Sequence, residues 1–229
     1  MYGAPSAGPE QTQRATINDV IVKSLILLGL VVAGGVLGWM LGGIAMLFGL
    51  IGFVLALVVI FKRKTSPGLI IAYAACQGVF LGGISAAFNA EYPGIVVTAI
   101  IGTISVFIGM LTLYAIVGVR LSKKFMGILA VGMISYTVFI IANLIFGMFT
   151  GSSMRDITIM GIPLGLIIGA IAVVMAAICL IADFQQIDHA LKAGIPERES
   201  WQLAFGLMVT LIWLYVEILR LLSYVMNRD

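Results

Sequence analysis

Charge is what this sequence has least of. Lys and Arg number 13 and Asp and Glu 10 in 229 residues, so only 10% of positions are charged. A soluble domain carries about 25%. Hydrophobic residues fill 62% of the chain, and the mean hydropathy is +1.17. A core of this size cannot bury that much apolar surface, so lipid must solvate much of it and the soluble globular classes are excluded. The net charge of +3 forms no nucleic-acid patch. Histidine occurs once, at His189, in a mixed-charge stretch without a second ligand nearby. The two cysteines, Cys76 and Cys179, lie in apolar runs without CxxC spacing, which leaves no disulfide framework or zinc site. Phosphate-binding loops, zinc motifs, N-glycosylation acceptors and nucleophile–base constellations are also missing, so no enzyme is expected. The first twenty residues lack the basic start and apolar centre of a signal peptide. They are polar and rich in Gly, Pro and Ala, and read as a disordered cytoplasmic tail, 1–20.

What remains is long apolar runs. A helix needs about 20 such residues to cross a bilayer core of about 30 Å. Seven runs qualify: 24–42, 44–61, 68–88, 94–118, 126–149, 157–182 and 203–226. Their unbroken apolarity excludes a β-barrel, whose strands alternate. Residues 21–229 therefore read as one all-α, polytopic seven-helix transmembrane domain. The first two runs meet at Leu41-Gly42-Gly43 and are expected to form a tight hairpin. Gly34, Gly38 and Gly42 repeat every four residues, as do Gly161, Gly165 and Gly169, and each series predicts a smooth ridge for close helix packing. Basic residues cluster after the second run (Lys62, Arg63, Lys64) and after the fourth (Arg120, Lys123, Lys124). The positive-inside rule then places the N-terminus in the cytoplasm and the C-terminus outside.

Acids inside a span are costly and therefore informative. Glu10, Asp19, Glu91, Asp156, Glu197 and Glu199 can all sit in water. Asp183, closing the sixth run in ICLIADFQQID, and Glu217, within LYVEILRL of the seventh, stand out. Glu217 and Arg220 are three residues apart on one helix face, where they can neutralise each other. Two readings stay open on the residues alone: a structural ion pair, or an ion or proton site formed by both acids. The stretch 184–202 is expected to hold short amphipathic helices at the cytoplasmic surface.

ADFQQIDH closing the sixth run, followed by LYVE in the seventh, resembles the signature of the Bax inhibitor-1, or transmembrane Bax inhibitor motif, family. The likeness covers roughly residues 20–229 and looks most like a bacterial branch. It implies six helices packed around a central seventh, in the inner membrane if the source is bacterial. It also implies a pH-sensitive calcium leak latched by two acids, which match Asp183 and Glu217. These two would bind calcium weakly, with no tightly held cofactor. A basic residue at the end of the second helix, matching Lys62 or Arg63, would pair with the first acid. Glu217 stands where relatives carry aspartate, and Arg220 is an additional base beside it. The permeant or regulatory ions would be calcium or protons. The resemblance equally permits a non-transporting regulator that binds another membrane protein, such as a quality-control protease.

Overall fold

The computed structural model describes residues 14–62, 64–159 and 161–227. Nearly all of them are helical: α1 (Ile17–Leu41), α2 (Ala45–Phe61), α3 (Pro67–Glu91), α4 (Ile95–Thr112), α5 (Lys123–Thr150), α6 (Leu164–Lys192) and α7 (Ser200–Met226). A two-residue-per-strand hairpin, β1 (Thr158–Ile159) and β2 (Ile162–Pro163), precedes α6. Six helical stretches are long and apolar enough to cross a membrane. The first, Ile17–Phe61, runs 45 residues and holds both α1 and α2, the first two of the expected runs. The protein is an all-α, polytopic integral membrane protein.

Two compact units make up the chain: Met1–Glu91 with Asp183–Val209, and Tyr92–Ala182 with Thr210–Asp229. In the first, glycine sets the packing. A Cβ at Gly34 would lie 2.8 Å from the Ala75 carbonyl oxygen, and one at Gly38 would overlap the Val79 carbonyl. Gly78 and Gly82 of α3 meet Val31 and Gly35 of α1 in the same way. Backbones this close exclude every side chain, which is the use small residues have in lipid. The expected ridge ends one step early, because Gly42 adopts φ 56° and terminates α1, with nothing within 4 Å of where its own Cβ would stand. Beyond it, Ala45, Gly49 and Gly52 of α2 meet Gly83, Phe80 and Gln77 in descending order along α3. The chain therefore reverses direction across Gly42–Ile44, and α1 and α2 both lie against α3.

The N-terminal boundary differs from the tail expected over 1–20. Residues 1–13 lie outside the described residues, but 14–20 are ordered. Thr16 caps α1, its side chain accepting from the Asp19 amide while Asp19 accepts from the Thr16 amide, a reciprocal capping box. The Ala15 amide donates to the Ile195 carbonyl at 2.9 Å, and Arg14 bridges to Pro196. Nor does 184–202 form separate surface helices. α6 continues unbroken to Lys192, carrying His189 exposed on its last turns, and a 3-10 turn at Glu197–Glu199 leads straight into α7.

Lys23 fixes this connection to α1. It is 8% exposed, and its ammonium donates to the Ser200 hydroxyl at 2.7 Å, the Glu197 carboxylate at 3.0 Å and the Glu197 carbonyl at 3.2 Å. All three of its protons are thus used. The Glu197 side chain is 43% exposed, so the ion pair itself contributes little. The contact with fully buried Ser200 carries more. Lys23→Met is expected to lower stability by about 2 kcal/mol, read as an earlier thermal unfolding midpoint in detergent, while Lys192→Met on the exposed face of α6 leaves it unchanged.

In the second unit, Gly165 and Gly169 of α6 lie against Tyr224 and Leu221 of α7, and Gly102 of α4 against Ile218. Gly161 does not extend that ridge. It takes φ 81° in the hairpin, so α6 begins at Leu164 rather than 157. Cys179 is buried with its thiol 3.2 Å from the Met133 sulfur, a core position. No side chain of α5 is fully buried, and Phe149 at its end is 87% exposed, the pattern of a helix facing lipid.

Candidate functional site

Glu217 is 1% exposed. Arg220, one turn further along α7, donates to its Oε1 at 3.0 Å. The Tyr136 hydroxyl of α5 donates to the same oxygen. Arg155, from the segment between α5 and α6, places Nη1 3.5 Å from Oε2 and donates from Nη2 to the Tyr136 hydroxyl at 2.6 Å. One acid, one phenol and two guanidiniums thus form a connected network within the second unit. Arg155 itself is 4% exposed, with its guanidinium 5.8 Å from the Tyr136 ring centre and 5.5 Å from that of Phe139. Distances of this order are favourable between a cation and an aromatic face.

Two cations on one carboxylate leave a surplus positive charge. Asp156 is the next residue after Arg155, and it accepts from the Tyr224 hydroxyl at 3.1 Å. With exposed Asp156 included, Arg155, Arg220, Glu217 and Asp156 sum to zero.

The local fold explains how a residue beyond the end of α5 reaches so far back. Tyr136, Phe139, Asn143 and Gly147 recur at spacings of three and four, so they share one face of α5. Gly151 caps that helix with φ 69° and turns the chain. Past the turn, the Ser152 carbonyl lies 3.5 Å from where a Gly147 Cβ would stand. The Met154 amide and Ser153 hydroxyl donate to Asn143 Oδ1 at 2.8 and 3.0 Å. The segment descends this face step by step and delivers Arg155 to Tyr136.

Of the residues singled out in the sequence, Glu217 and Arg220 meet directly. Asp183 is half-buried in α6 and belongs to the first unit, whereas Glu217 belongs to the second. Lys62 is exposed just past α2 and forms no ion pair among the described residues; Arg63 lies outside them. Among the described residues, no three His, Cys, Asp or Glu side chains gather as a metal site.

Arg155 and Tyr136 do not stand out in the sequence. Arg155 lies beside Asp156 in a short polar connection, where charges are ordinarily solvated. The available signal is on α5, whose single polar–aromatic stripe, Tyr136 to Gly147, is out of place on a helix meant for lipid alone.

Residues 3–227 match the family model described as Bax inhibitor 1 like. The chain belongs to that family. A search of curated proteins gives no match. In this Bax inhibitor 1-like protein the acids of ADFQQIDH, Asp183 and Asp188, fall in the first compact unit, and Glu217 of LYVE falls in the second.

Proposed function

We propose that this Bax inhibitor 1-like protein is a proton-sensitive leak for a hard cation, with calcium as substrate, gated by Asp183 and Glu217. The reading takes the N-terminus as cytoplasmic, and the inner membrane as the location if the source is bacterial. It includes no catalysis and no resident cofactor. The observation that carries it is Glu217: a carboxylate withdrawn from water inside a membrane helix, held by three side chains that each respond to its charge. Retaining such a group in lipid costs roughly 2.5–3.5 kcal/mol on insertion scales, which favours a use for it. Calcium takes about 6–8 oxygens, so a carboxylate serves only as a passing ligand for a partly hydrated ion.

The test is calcium entry into proteoliposomes across a range of pH. Glu217→Gln and Asp183→Asn are each expected to change the rate and flatten its pH profile. If both substitutions leave flux and profile as they were, the reading is wrong.

A second reading rests on the same cluster. With Arg220 on Oε1 and Arg155 3.5 Å from Oε2, each oxygen of Glu217 already faces a guanidinium. That favours a non-transporting regulator acting on another membrane protein. On this reading, liposomes holding the wild-type chain leak no faster than empty ones, and deletion of residues 1–20 removes activity in cells.

A further inference from the structure

We propose that residues 151–157 are a re-entrant plug, locked by Arg155 on Glu217 and released when Glu217 loses its charge. This deepens the proposed function and rests on the reading that Glu217 gates a leak.

The chain leaves α5 at Thr150, yet Arg155 contacts Tyr136, about 21 Å back along the helix axis at 1.5 Å per residue. Contacts to Gly147, Asn143, Phe139 and Tyr136 trace the whole descent. Of residues 151–159, Arg155 alone is fully buried; Ser153 and Met154 are half-buried and the others exposed. Ser153 and Met154 tie the upper part of the segment to Asn143, and its deepest residue, Arg155, is held by the Tyr136 hydroxyl and by the charge of Glu217. No apolar anchor would keep it there if the acid became neutral.

Among the described residues, few charged or titratable groups bond or pair with Glu217 or its partners. α5 supplies Tyr136, the segment supplies Arg155 and, through Tyr224, Asp156, and α7 itself supplies Arg220 and Tyr224. α4 and α6 turn glycines to this part of α7 at Gly102, Gly165 and Gly169. Once Glu217 is protonated, Arg155 and Arg220 face each other across a neutral group, and burial penalises both. Arg155 is the one that can leave. It sits on a short segment that is already exposed on both sides, and neighbouring Asp156 gives it a partner in water. Its departure also clears the cations from Glu217, the step the leak needs before calcium can approach. The proton that opens this plug arrives from the α5–α6 side, at the end of α5 opposite Lys123 and Lys124.

The experiment reads the plug directly, independent of flux. In full-length protein with Cys76→Ala and Cys179→Ala, a single reporter, Ser153→Cys, is reacted with a membrane-impermeant maleimide at one fixed pH. Adding Glu217→Gln is expected to speed modification roughly tenfold, the change for a segment moved from closed to open, while Glu217→Asp, which keeps the charge, stays near the parent. Equal rates in the parent and Glu217→Gln overturn the plug, as does Glu217→Asp matching Glu217→Gln. Should Glu217→Gln fail to fold, the parent is acidified and its rate taken relative to exposed Asn227→Cys; a constant ratio overturns the proposal. A plug that opens in a protein without calcium flux refutes the leak alone, and flux through a plug that never opens refutes the plug alone.

Discussion

Arg155→Met is expected to lower the stability of the folded protein by about 3–5 kcal/mol, the cost of stranding one member of a buried ion pair. The Arg155 side chain is 5% exposed and that of Glu217 is 2%. Removing the guanidinium leaves Glu217 with Arg220, whose side chain is 32% exposed and partly screened by its surroundings. Tyr136 loses its donor in the same step. Arg220→Met removes one charge-assisted bond near the surface and should cost only about 1–2 kcal/mol. The decisive comparison is the double substitution Arg155→Met with Glu217→Leu. Replacing both members of a buried pair by apolar groups is often neutral or stabilising, so most of the loss is expected to be recovered. The checking measurement is a double-mutant cycle on thermal unfolding in detergent micelles. If the double variant loses the sum of the two singles, Arg155 and Glu217 are not energetically coupled and the cluster is no ion pair.

That cycle bears on why an acid is legible in the sequence and its main partner is not. Glu217 stands out because a carboxylate within a long apolar run has no ordinary explanation. Arg220 follows from helix geometry, since three residues place it on the same face. Arg155 depends on something a linear reading does not contain: the chain turning at Gly151 and running back along α5. A hydrophilic loop and a re-entrant segment have the same composition, and only the face that receives the segment distinguishes them. The same limit applies to the helix ends. Apolarity starts the sixth run at 157, but Gly161 turns a part of it into a hairpin. It starts the first run at 24, although Thr16 and Asp19 carry a capping signal, because the polar residues before it resemble a tail. Membership of the Bax inhibitor 1-like family and the all-helical membrane fold are legible from composition and two short motifs. The positions of loops, which decide the site, are not.

Glycine spacing is the most informative pattern for packing, and it supports the second large effect. Gly82→Ala is expected to cost about 3 kcal/mol or more, at or beyond the upper part of the range for overpacking. Its Cβ would overlap the Gly35 carbonyl oxygen and lie 2.8 Å from the Trp39 amide nitrogen. Both neighbours are backbone, so no side chain can rotate away, and α1 must separate from α3. Separation would also loosen Gly34, Gly38 and Gly78, because all lie in the same contact. Gly29→Ala is the internal control. It sits on α1 with nothing within 4 Å of where its Cβ would stand, and alanine is the better helix former by about 1 kcal/mol. The two variants should therefore move the thermal midpoint in opposite directions. A Gly82→Ala protein as stable as the parent would mean that α1 and α3 do not meet backbone to backbone. The reversal of the chain at Gly42, which rests on that contact, would then lose its support.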